Sequence, residues 1–94
     1  MPYILKTTLE GLIYIKASKV INIKRPNTIN GVKVFGKPLI INGSSISFLS
    51  YDLEGKVTFF MLNGFEISLN ITFDNAEEIF SCAKANVEKI ITLE

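Results

Sequence analysis

Apolar and polar residues alternate with a period of two along most of the chain. Glycine cuts the alternation at Glu10-Gly11, Asn30-Gly31, Asn42-Gly43, Glu54-Gly55 and Asn63-Gly64. Successive side chains of a strand point to opposite faces, so this pattern reads as half-buried β-strands. Turn signals roughly 8 to 12 residues apart fit short antiparallel strands better than alternating strands and helices. Asn-Gly between β-rich runs is a strong hairpin signal, because a type I′ turn needs positive φ at both central residues. Strands are expected at about 3–9, 12–16, 19–25, 32–41 with a break near Gly36 and Pro38, 44–51, 56–62 and 65–73. The segment Arg25-Pro26-Asn27-Thr28 reads as an irregular loop, since proline cannot donate to a central ladder.

Past Phe73 the period changes. Asp74 followed by Glu77 suits an N-cap with a capping-box partner, and Glu77 and Glu78 favour the positive end of a helix dipole. Ile79, Phe80, Ala83, Val87, Ile90 and Ile91 then recur at helical spacing, in one stripe about 120° wide. The spacing predicts an amphipathic helix over 75–92, lying on a sheet.

The Asn63-Gly64 hairpin carries the sharpest expectation. A two-residue turn there pairs Leu62 with Phe65, Phe60 with Ile67 and Thr58 with Leu69. Phe65, Ile67, Leu69, Ile71 and Phe73 then form a core face, with Glu66, Ser68, Asn70 and Thr72 turned to solvent. Under that register Val57, Phe59 and Met61 fall on the opposite face as a second apolar patch that something must cover: other segments of the chain packed over both faces of a bent sheet, or a second subunit or another protein.

These elements define an α+β, mostly β, single domain over residues 1–94. It has about seven short antiparallel strands in a bent meander or partly open barrel, closed by one C-terminal amphipathic helix at about 75–92. Turns at Gly11, Gly31, Gly43, Gly55 and Gly64 followed by a helix from about Asn75 resemble the element order of the pleckstrin-homology-like superfold. The resemblance implies a binding scaffold and nothing more specific. Lipid head-group binding is not implied, because the first turn, Leu9-Glu10-Gly11-Leu12, is short and acidic where the phosphoinositide-binding members carry a basic loop.

Composition narrows the chemistry. Hydrophobic residues make up 48% of the 94 and charged residues 20%, a balance that supports a packed core. There is no histidine, which removes the commonest general base and metal ligand. A single cysteine, Cys82, rules out an intrachain disulfide and a cysteine-built zinc site. Asp52, Glu54, Glu77 and Glu78 sit where turns and caps use solvated acids. Asn42-Gly43-Ser44-Ser45 lacks phosphate-loop spacing and reads as a hairpin turn. No catalytic residue, cofactor, metal or small-molecule ligand is expected, and the chain reads as non-enzymatic. Without a signal-like start or a long apolar run it reads as an intracellular, cytoplasmic protein with no membrane span. Heavy use of isoleucine, asparagine and lysine suits an AT-rich coding sequence, such as that of a mobile element or virus, where a small domain would serve as adaptor or inhibitor.

Charge is segregated along the chain. Residues 1–40 hold seven cations against Glu10 alone, a net +6, and residues 41–94 hold three cations against eight carboxylates, a net −5. Two partner classes follow. The first is a protein partner, a second copy of the chain foremost, met at Val57, Phe59 and Met61 or along an open sheet edge. The alternative is nucleic acid, met by Lys16, Lys24, Arg25, Lys33, Phe35 and Lys37, with Lys33, Phe35 and Lys37 in one cation–aromatic–cation row.

Overall fold

The strands that begin at Leu12, Val32, Ile46, Val57 and Glu66 each start within three residues of a glycine turn signal. The computed structural model describes residues 3–17, 21–29, 31–34, 38–51 and 55–93. In chain order these form β1 (Tyr3–Thr7), β2 (Leu12–Ala17), β3 (Ile21–Lys24), β4 (Val32–Val34), β5 (Leu39–Asn42), β6 (Ile46–Tyr51), β7 (Val57–Met61), β8 (Glu66–Leu69), α1 (Phe73–Lys84) and β9 (Lys89–Leu93). They assemble into two antiparallel sheets that do not close into a barrel. Sheet A has the order β5-β2-β1-β9 and sheet B the order β4-β3-β8-β7-β6.

One core lies between the sheets. Tyr3, Leu5, Ile13, Ile15 and Ile41 enter it from sheet A, and Ile46, Val57, Phe59, Ile67 and Leu69 from sheet B. The helix adds Ala76, Ile79 and Ala83, packing against β1, β2, β9 and β6. Buried polar groups are paired. Thr7 donates its hydroxyl to the Val87 carbonyl, and the Tyr3 hydroxyl accepts from the Asn70 amide at 3.2 Å. These bonds tie sheet A to both ends of the helix.

The helix is shorter than the apolar stripe predicts, ending at Lys84 instead of 92, and residues 89–93 form β9 against β1. The stop is a Schellman motif: the Val87 amide donates to Cys82 O at 2.9 Å and the Asn86 amide to Ala83 O at 3.2 Å. Asn86 occupies the left-handed region at φ 57°, which asparagine tolerates better than most residues. Beyond it, Ile90-Ile91-Thr92 is β-branched throughout and favours a strand. The N-cap also moves, from Asp74 to Thr72, whose hydroxyl accepts from the Asn75 amide at 3.2 Å.

Two turns differ from the hairpins their Asn-Gly sequences predict. Residues on either side of Asn42-Gly43 do not pair: β5 joins β2 in sheet A and β6 joins β7 in sheet B. The connection is a single 3-10 turn, Gly43–Ser45, capped by Asn42 Oδ1, which accepts from the Ser44 amide at 3.0 Å. Gly43 is required by close approach, since a Cβ would stand 2.7 Å from both the Gly11 carbonyl oxygen and the Ala83 Cβ. In the β3–β4 pair, Ile23 lies opposite Val32, and the loop after Lys24 begins at Arg25; Asn30 of the expected Asn30-Gly31 turn lies outside the described residues. The irregular loop expected at 25–28 is present, with Thr28 Oγ1 donating to Arg25 O at 2.7 Å.

Candidate interaction surfaces

The β7–β8 turn decides which residues see solvent. It holds three residues, not two. Met61 donates to Phe65 O at 2.8 Å, Gly64 donates to Met61 O at 3.0 Å, and Gly64 adopts φ 91°. This is a turn followed by a glycine bulge, and the β1–β2 connection repeats it through Thr8, Gly11 and Leu12. Asn63 serves it through its side chain, accepting from the Phe65 amide at 3.1 Å.

The extra residue shifts the register by one. Phe59 now pairs with Ile67, and Phe60 with Glu66. A shift of one exchanges the two faces of a strand. Val57 and Phe59, expected on a second apolar face, are therefore 0% exposed in the core, and the partly buried Met61 packs against the same core. They have no free surface to offer a partner, and the expected interface is corrected on that ground.

What faces outward on sheet B is mostly polar and already paired. Thr58 and Ser68 share a hydroxyl–hydroxyl hydrogen bond of 2.9 Å, and Lys24 donates to Glu66 at 3.1 Å. Apolar surface gathers at the β6 edge, where Phe48, 53% exposed, stacks on Phe60 with ring centroids 4.4 Å apart. A β-bulge between Ile46 and Phe48 makes this arrangement: Ile46 still turns into the core, while Phe48 turns out.

Sheet A presents a different outer face. Its register lines up Ile40, Tyr14, Lys6 and Ile90 across all four strands, with Leu12 and Ile4 in the adjoining rows. Ile40 is 60% and Ile90 62% exposed. Lys6, Thr8, Leu12, Tyr14 and Ile40 line a shallow open depression on this face. Lys16 borders it, and none of the four strands contains a carboxylate. The helix expected over 75–92 hides the part of Ile90 in this face, whereas Ile40, expected next to the end of the strand at 32–41, does lie in a strand; the signal for the face is in Leu39-Ile40-Ile41 and Ile90-Ile91, where one residue of each apolar run must face out.

The basic residues of the alternative reading separate. Lys16 stands on the outer face of sheet A, Lys24 is bound to Glu66 on the outer face of sheet B, and Arg25 lies in the exposed loop after β3. Phe35, Lys37 and the Lys33 side chain lie outside the described residues. Cys82 is half-buried on the flank of α1, and Lys89, expected on the same helix, belongs to β9 and meets Glu78 at 3.6 Å. No helix among the described residues is long and apolar enough to cross a membrane. Set against protein-family models, curated proteins and solved structures, the chain matches none of them.

Proposed function

We propose that the protein is a non-enzymatic protein-interaction domain that receives a partner on the outer face of sheet A. The observation that carries this reading is the row Ile40–Tyr14–Lys6–Ile90. An antiparallel sheet with one face on a core ordinarily turns polar side chains to water, whereas this row turns out two isoleucines and a tyrosine. Covering it removes apolar area from water. Covering Lys6 leaves an ammonium without solvent, a cost that falls only if the partner brings an opposing charge. The partner best suited to the face is therefore an apolar segment carrying carboxylates. The absence of histidine from the sequence supports a binding role over a catalytic one.

The test uses a defined probe. A synthetic peptide of leucines and glutamates, titrated into isotope-labelled protein, is expected to shift backbone resonances around Lys6, Tyr14, Ile40 and Ile90, with affinity that falls as salt rises. The same peptide with lysines for glutamates is expected to leave them in place. Shifts spread evenly over the surface, or equal shifts from both peptides, would refute the assignment.

A further inference from the structure

The strands that end the two sheets are β5 and β9 in sheet A and β4 and β6 in sheet B, and they are not equally guarded. An open edge presents unpaired N–H and C=O groups to any passing strand, and proteins blunt it with short strands, lysine or proline. Strand β4 has three residues with Lys33 at its centre, β5 has four and follows Pro38, and β9 begins with Lys89. Strand β6 has six residues, no charge and no proline. Among the described residues β7 is the one strand it pairs with, and α1 also packs against it, with Tyr51 edge-on to Phe73.

The turn geometry shows which of its backbone groups are open. Met61 donates to Phe65, the residue that leads into β8, and hydrogen-bonding direction alternates along a strand, so Phe59 bonds toward β8 while Thr58 and Phe60 bond toward β6. Their partners Ser50 and Phe48 are used by β7. Leu49 and Tyr51 then direct their N–H and C=O groups to the open edge.

We infer that β6 pairs with β6 of a second copy of this chain, antiparallel about a twofold axis at Leu49, joining the two five-stranded sheets into one. A twofold contact sets a surface against itself, which favours a strand without charge, because every lysine would otherwise meet a lysine. This argument separates β6 from the lysine-bearing face of sheet A, and the inference does not depend on the partner proposed for that face. In this register Leu49 lies opposite its own copy, extending the core side, and Phe48 lies opposite Ser50 of the second copy. The two Phe48 rings stand on the diagonal, within aromatic reach, so the stacked pairs of both copies form one row. The bulge before Phe48 confines pairing to about residues 47–51, a small contact whose dimer depends on concentration.

Light scattering across a concentration series, with amide hydrogen exchange read on the same samples, tests the seam. The expected result is a mass of two chains at high concentration, with Leu49 and Tyr51 amides exchanging about tenfold more slowly there than in dilute solution. Phe48→Lys sets like charges on the diagonal and removes the aromatic row, so it should raise the dimerisation midpoint by about tenfold. A single-chain mass at every concentration overturns the inference. So does a dimer in which the Leu49 and Tyr51 amides are unchanged, since the copies then meet elsewhere. If Phe48→Lys fails to fold, the exchange series on the unaltered protein decides alone.

Discussion

The two sheets are built alike on the inside and differently on the outside. Each sends a row of aliphatic and aromatic residues into the shared core, and no buried side-chain nitrogen or oxygen among the described residues is left without a hydrogen-bond partner. Outside, sheet B answers its own polar groups through Lys24–Glu66 and Thr58–Ser68, and keeps its exposed apolar surface at an edge. Sheet A guards its edges with Pro38 and Lys89 and leaves Ile40 and Ile90 exposed on its two outer strands, flanking the half-buried Tyr14 and the exposed Lys6 on the same face. The difference assigns each sheet its own kind of contact. A face with exposed apolar groups and cations on strands that carry no carboxylate suits a partner laid across it, and an edge with unpaired backbone suits an added strand.

The largest expected effect tests whether inside and outside have been told apart. Phe59→Ala should destabilise the protein by about 3–5 kcal/mol, because it opens a cavity in the core. Phe60→Ala, one residue along, should cost about 1 kcal/mol, since its ring is half-exposed and loses mainly the stack with Phe48. Denaturant melts of the two variants decide the matter. A larger loss at Phe60 would restore the two-residue turn at Asn63-Gly64 and with it the opposite assignment of faces.

A smaller effect is expected where the chain crosses between the sheets. Gly43 donates to Gly11 O at 2.8 Å and touches Ala83 at the end of the helix, so three segments meet without room for a side chain. Gly43→Ala should cost about 1–3 kcal/mol by forcing them apart. Hydrogen exchange should then rise at Gly11, Gly43 and Asn86 more than in β7 and β8. An unchanged melting temperature would mean that the turn yields freely, and that the two sheets are not fixed to each other at this junction.

Period-two alternation made most of the β-content legible in the sequence, and the change of period after Phe73 marked the helix. Three features were not legible, each for a physical reason. Whether the Asn63-Gly64 turn holds two residues or three depends on whether Leu62 joins the loop, and Leu62 is as apolar as the strand before it. Both registers bury a row of large residues from Val57-Thr58-Phe59-Phe60-Met61, so the pattern alone does not choose between them. Ile90 and Ile91 continue the helical stripe by coincidence of spacing, and only Asn86, a residue suited to the left-handed stop, marks the true end. Asn42-Gly43 has hairpin composition, yet its neighbours pair in different sheets, a long-range fact that no local window contains. The candidate surfaces inherit these errors. Val57, Phe59 and Met61 were displaced by the register, and Ile90 was hidden by its assignment to the helix.

The smallest expected effect on stability belongs to the face proposed for the partner. Ile40 and Ile90 already stand mostly in water, so the double variant Ile40→Ser, Ile90→Ser should change the free energy of unfolding by no more than about 1 kcal/mol, chiefly through lost β-propensity at two sheet edges. The same variant should abolish the resonance shifts induced by the leucine–glutamate peptide and leave β6-mediated pairing untouched. Thermal melts, the peptide titration and light scattering read the three quantities on one preparation. A loss of several kcal/mol would show the two isoleucines working as core, and the face would then lose its claim to a partner. Retained stability together with retained peptide binding would move the docking surface off sheet A. Retained stability with lost binding and intact self-pairing is the outcome in which face and edge act as separate devices, one for a partner and one for the chain itself.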